Sequence, residues 1–381
     1  DWVGALPAEY VPRHPWLLYG LGSARMQEDR KAARDIFIEA FDAFGASGTA
    51  VGQMLCAAAV IRTYHFEYNT FEPMDRWVAE IDRLLETGPQ FPTAAAQLAV
   101  WSALLLAFTY RLPGHRLRAA AIERVTHLLD ADIDANQKVP AGFALILHHT
   151  MSHEMSRARP VIERIGPLLD APELTALNRV NWCLFIGYHH HRTGDRSAAE
   201  QALDQSDRIA TEHGLRQSEF ISHCFRSYHC TSWWDANEGA RALDGLGAAV
   251  SDATPMLGAQ FHNATMFVEM LRGNGPAAER HARLAVAAAN RLGAPFFTVS
   301  WMSYAAGGLA MNGAFDEAEQ WLDTAWAHSD NGFLVTYRPA ILATRAWVAM
   351  LRGRRDVARD HLRHMFSIGH DLQALAYLRN C

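Results

Sequence analysis

Residues 301–322 read WMSYAAGGLAMNGAFDEAEQWL, and this stretch decides the fold. An apolar run ends at Asn312-Gly313, and a second, amphipathic run begins, with Ala318 five residues past the glycine and Leu322 four further on. Glycine supplies the left-handed conformation that ends a helix without a Cβ clash. An alanine one turn into the next helix lets two backbones approach closely. The same signature stands at Gly194 with Ala199, Gly273 with Ala278 and Gly353 with Ala358, and Asp235 with Ala240 fills the gap between the first two. The successive spacings are 41, 38, 40 and 40 residues, read from the positions in the sequence. Weaker copies fall at Ala158, Ala120, Met74 and Ala33.

A fixed period of about 40 residues is the mark of a serial array rather than of one compact core. The helices carry apolar rows at i, i+3, i+4 and i+7, such as Ile36, Phe37, Ala40, Phe41 and Phe44, or Trp77, Ile81, Leu84 and Leu85. No stretch alternates with period two, so no sheet is expected. The reading is all-α: about nine helical hairpins stacked into a right-handed superhelix, one domain over residues 1–381, with the first helix of each pair lining a concave face.

Composition narrows function. The chain has 381 residues and a net charge of −6, and of its 35 basic residues only Lys31 and Lys138 are lysines. That balance disfavours a general nucleic-acid or anionic-membrane binder. The five cysteines, Cys56, Cys183, Cys224, Cys230 and Cys381, are scattered and never spaced C-x-x-C, which points to a reducing, cytoplasmic setting without structural disulfides or zinc. The longest uncharged apolar run, Leu98 to Phe108, falls short of the roughly 20 residues that span a bilayer. The chain opens on Asp1 rather than Met, and is expected to be a piece of a longer protein.

The copies resemble tetratricopeptide repeats, and their length resembles the longer repeats of maltose-regulator-type (MalT-like) sensor domains. The opening adds to this: Leu6-Pro7, His14-Pro15-Trp16-Leu17-Leu18-Tyr19, then Ala33, Phe37, Ala40 and Phe44, followed by Phe71, Met74-Asp75-Arg76-Trp77 and Phe91-Pro92. This series is similar to the sensor portion of large bacterial transcriptional activators of the signal-transduction ATPase class. The resemblance implies a small effector held by the array, and NTPase and DNA-binding modules on the same longer chain. No Gly-Lys dipeptide occurs here, so a phosphate-binding loop would lie outside this stretch, and no cofactor is expected within it.

Inward positions, counted from the alanine anchors, are Asn181, Phe185 and Tyr188; Ser222, Phe225, Arg226 and His229; Gln260, Asn263 and Phe267; Ser300, Ser303 and Tyr304; and Thr344 with Trp347. From these the expected ligand-binding set is Phe185, Tyr188, Ser222, Phe225, Arg226, His229, Gln260, Asn263, Phe267 and Tyr304. Aromatics with a few amides and hydroxyls suit an apolar pocket with placed polar groups. Arg226 is the candidate grip for an acidic or aromatic effector's carboxylate; the competing reading pairs it with Glu219 or Glu269.

The run His189-His190-His191 cannot converge on one ion, because successive helix residues point about 100° apart. His149 and His153 share a face with Glu154 beside them, but no third ligand can be assigned and no metal site is expected. The tryptophans read mostly as core, with Trp233 and Trp234 the exceptions. The basic cluster Arg352, Arg354, Arg355, Arg359 and Arg363 reads as a solvated face. No nucleophile elbow, dinucleotide loop or metal motif supports catalysis. Two readings stay open: a small-effector sensor of a regulator, and an interaction scaffold for a peptide or partner domain.

Overall fold

A computed structural model describes residues 14–26, 28–250 and 254–371; Leu6, Pro7 and Cys381 lie outside them. The chain is 81% helical, with no strand among the described residues. Nine hairpins follow one another among the described residues. They are α1 (Pro15–Arg25) with α2 (Arg30–Ala46), α3 (Ala50–Glu67) with α4 (Met74–Glu86), and α5 (Ala94–Tyr110) with α6 (Arg118–Leu128). Next come α7 (Ala135–Met151) with α8 (Met155–Ile165), α9 (Ala176–Thr193) with α10 (Arg196–Glu212), and α11 (Arg216–Ser232) with α12 (Ala236–Ala242). The last three are α13 (Pro255–Leu271) with α14 (Gly275–Leu292), α15 (Pro295–Met311) with α16 (Phe315–His328), and α17 (Arg338–Leu351) with α18 (Arg355–Asp371). Short 3₁₀ turns cover Gly166–Asp170, Leu246–Ala249 and Gly332–Tyr337.

The hairpin turn explains the repeat. Gly194, Gly273, Gly313 and Gly353 all take the left-handed conformation, at φ 79, 73, 86 and 74°. The residue after Gly194 or Gly273 then caps the second helix: Asp195 accepts from the Ala198 N–H at 3.1 Å and Asn274 from Ala277 at 3.4 Å. Five residues past each glycine, Ala199, Ala278, Ala318 and Ala358 are 1% exposed or less.

Two anchors read from the sequence are off by one residue. In the sixth pair the left-handed residue is Trp234, at φ 64°, and the small buried residue five further on is Gly239, not Ala240. A Cβ on Gly239 would stand 3.0 Å from Thr231 and 3.3 Å from Val268, so the closest helix approach falls there. In the third pair the buried alanine is Ala121 rather than Ala120. With His153 (φ 59°) preceding Ala158, the left-handed residue recurs at 153, 194, 234, 273, 313 and 353, every 39 to 41 residues.

First and second helices differ as their sequences require. Helices α5 and α15 are apolar on all sides and bury most of their residues. Helices α4, α10 and α14 keep one apolar stripe and turn a charged face to water. The first helices therefore form the inner wall and the second helices the outer one.

The array then closes on itself, which the period did not foretell. The second and third hairpins meet the seventh and eighth. The Phe71 N–H donates to the Leu292 carbonyl at 2.8 Å, and the Met256 N–H to the Tyr68 carbonyl at 3.2 Å. Arg111 grips Asp75 through two bonds of 2.9 and 2.7 Å and donates to the Gly293 carbonyl at 2.6 Å. Tyr110 stacks on Phe71 at 5.2 Å and leans on Phe297 at 5.5 Å. Farther along, Gly332 lies so close to Pro113 that a Cβ would stand 2.1 Å from its carbonyl oxygen, and His153 Nδ1 lies 3.1 Å from the Thr336 carbonyl.

Candidate ligand-binding hollow

Along the inner wall the aromatic candidates join into one row. Phe185 contacts Phe143 at 4.4 Å between ring centroids and Phe225 at 5.9 Å; Tyr188 lies 5.0 Å from Phe225. The row continues through Tyr228 to Phe267 at 6.1 Å and from Phe267 to Tyr304 at 5.6 Å. It thus crosses α9, α11, α13 and α15. Phe185 and Phe225 are buried, whereas Tyr188, Tyr228, Phe267 and Tyr304 keep part of their surface open.

Tyr228 is the link that sequence reasoning passed over. Its hydroxyl lies 2.9 Å from the Gln260 carbonyl and 3.0 Å from Gln260 Oε1, either of which can accept its proton, and it accepts from Asn263 Nδ2 at 3.1 Å. Burial is the largest influence on this phenol and raises its pKa well above the usual value. Gln260 and Asn263 therefore do belong with the aromatic row, and Asn263 Oδ1 is left buried without a partner. The signal was present: Tyr228 stands three residues after Phe225 on the same helix face.

Arg226 and His229 make their ionic contacts with α10 rather than with that row. Arg226 points about 100° around α11 from Phe225, whereas Ser222 and His229 lie about 60° and 40° from it; Arg226 and His229 meet acids of α10. Arg226 is held there by Asp207 at 2.5 Å and Asp204 at 2.9 Å. Desolvation opposes its charge, but the bonds to the two aspartates outweigh it and its pKa is raised. Its acids are therefore Asp204 and Asp207, not Glu219 or Glu269. His229 Nε2 lies 3.6 Å from Glu200, and burial lowers its pKa. Ser222 is fully buried, its hydroxyl without a partner. The His229 ring lies 5.6 Å from His191, whose ring lies 6.1 Å from Tyr188.

The other histidines serve separate neighbours. His149 faces Glu154 at 3.1 Å, His189 faces Thr150 at 3.1 Å, and His148 bonds Thr109 at 3.0 Å. Trp77, Trp101, Trp182 and Trp301 are core, while Trp233 and Trp234 are 45% and 79% exposed. The C-terminal arginines meet acids of their own or the preceding helix: Arg352 binds Asp316 and Glu319 at 2.8 Å each, Arg359 pairs with Asp356 and Arg363 with Asp360. Among the described residues no helix is long and apolar enough to cross a membrane.

Comparison with known proteins adds the fold. No family model and no curated protein matches the chain. Among solved structures it is similar to a Rap protein complexed with competence and sporulation factor, at a TM-score of 0.61 and 12% identity, over 84% of this chain and 88% of that one. The likeness is one of architecture: this chain is an all-helical, tetratricopeptide-like repeat superhelix.

Proposed function

We propose that the chain is a binding scaffold that holds a segment of a partner polypeptide against its inner aromatic row. The observation that carries this reading is the row itself, Tyr188, Tyr228, Phe267 and Tyr304, part-open on four consecutive first helices. Ring-to-ring steps of 5.0, 6.3, 6.1 and 5.6 Å from Tyr188 through Phe225, Tyr228 and Phe267 to Tyr304 keep the ends of the row within about 23 Å of each other, a span that about seven extended residues match. Gln260 beside the row offers the amide groups that recognise a peptide backbone. A chain of like fold was solved with competence and sporulation factor, which is in keeping with a holding role.

One observation favours the second reading, the effector-sensing part of a transcriptional regulator with NTPase and DNA-binding modules elsewhere. The bonds from Phe71 to Leu292 and from Arg111 to Gly293 hold the second and third hairpins against the seventh and eighth, an arrangement that suits a small molecule. A small effector at 100 times its dissociation constant should stabilise the fold by about 2.7 kcal/mol.

Selection of random seven-residue peptides on the protein, followed by fluorescence titration, decides between them. Phe267→Ala and Tyr304→Ala should each weaken a selected peptide about tenfold or more, as buried aromatic anchors do, with helix content unchanged. Peptides indifferent to both substitutions would end the scaffold reading.

A further inference from the structure

Most part-buried arginines of the described chain have an acid. Arg34 meets Glu67, Arg111 meets Asp75, Arg338 meets Asp330 and Arg345 meets Asp323. Arg62, on α3, is different: within the described residues it makes no hydrogen bond and no ion pair. It lies deep enough for desolvation to lower its pKa, yet part of its side chain stays open to solvent. A guanidinium kept from bulk water without an anion is costly, and its planar fork fits a carboxylate or a phosphate.

One helical turn on stands His65, with no exposed surface and with both ring nitrogens lacking any hydrogen-bond partner. Rings enclose it: Phe66 at 4.8 Å, Tyr110 at 5.3 Å, Tyr68 at 5.7 Å and Phe143 at 6.1 Å between centroids. A buried imidazole ordinarily satisfies at least its N–H. Desolvation first, then the positive charges of Arg62 and Arg30, push its pKa down to about 3, so it is neutral and has one N–H to donate. Arg30, the first residue of α2, has no acid partner among the described residues either.

We infer that Arg62 and His65, with Arg30 as a second positive charge, form an anion-binding subsite on the inner wall of the second hairpin, taking a carboxylate or phosphate group of the ligand. The sequence had assigned this duty to Arg226, whose fork is filled by Asp204 and Asp207; the unfilled fork is on the opposite arm. The inference rests on the scaffold reading and adds to it the charge of what is bound.

Benzoate, phenyl phosphate and uncharged benzamide, titrated against the whole chain, test it. Both anions should raise the thermal midpoint with dose while benzamide does not, and the anion with the larger shift identifies carboxylate or phosphate as the natural group. Arg62→Met should weaken that anion at least tenfold and raise the midpoint of the ligand-free protein, because an unpaired charge is removed. Arg62→Lys, which keeps the charge but not the fork, should fall between. In the wild type alone, the bound anion should move the His65 titration upward. An equal shift with benzamide, no shift with either anion, an anion shift that survives Arg62→Met, or an unmoved His65 would each overturn the subsite. Selected peptides that bind the aromatic row equally with or without an acidic group would do so as well, while leaving the scaffold standing.

Discussion

Trp234 is the residue whose conformation its own chemistry least favours. At φ 64° it occupies a position that glycine fills in four other turns, and its indole is 79% exposed. A non-glycine residue in this region costs about 1–2 kcal/mol, partly offset by the entropy glycine loses on folding. Trp234→Gly is therefore expected to stabilise the fold by about 0.5–1 kcal/mol in urea unfolding; a clear loss instead would show that the ring makes a contact the strain serves. Arg226 shows where reading by residue type stops. Its aromatic neighbours in the sequence, Phe225 and Tyr228, suggest a pocket, but a helix sends adjacent side chains to different faces, and only the position of α10 reveals Asp204 and Asp207. Arg62 drew no notice, because nothing local marks an arginine as lacking an acid.

At the scale of the element, the Gly–Ala anchors carried the fold. They were legible because each meets a backbone demand, a left-handed turn or a close helix approach, that few residue types meet. The register slipped where another residue met the same demand: Trp234 and Gly239 do the work of a glycine and an alanine. The approach is tight at Gly308, where a Cβ would stand 3.1 Å from the Ala278 carbonyl oxygen and 3.2 Å from Ala282. Ala278→Leu should force α14 and α15 apart and destabilise by about 1–3 kcal/mol, the usual cost of overpacking, with a lower urea midpoint. A midpoint within error of wild type would mean the hairpin is looser than its geometry. The inner row was legible in its aromatics, since these repeat near the hairpin period, and not in Arg226, which shares a helix with the row but not a face.

For the whole molecule the decisive feature is closure, which arises between segments some 180 residues apart and leaves no periodic trace. Arg111 is its central tie, bonded to Asp75 and to the Gly293 carbonyl. Arg111→Ala should release the two arms, seen as a larger radius of gyration in solution scattering with helix content kept; unchanged dimensions would show that the aromatic contacts alone suffice. Acid should act on the same structure. Burial, the leading cause, pushes His65, His148 and His191 down to about 3 and His189 down to about 4. Each lies below the ordinary imidazole value of about 6.5, so the unfolded chain takes up protons first as pH falls. The stabilisation is complete above about pH 6.5 and declines from there toward pH 3. Urea midpoints should agree at pH 8 and 7 and drop by pH 5; a flat profile to pH 5 would contradict the buried, neutral histidines.

An open array of repeats can lose a terminal unit and keep the rest, since each unit answers only to its neighbours. Here Leu292 and Gly293 complete the hydrogen bonding of Phe71 and Arg111, so deleting the last three hairpins would strip protection from amides near the beginning of the chain. The protein should melt as a single cooperative body, and shortening it from one end should be felt at the other.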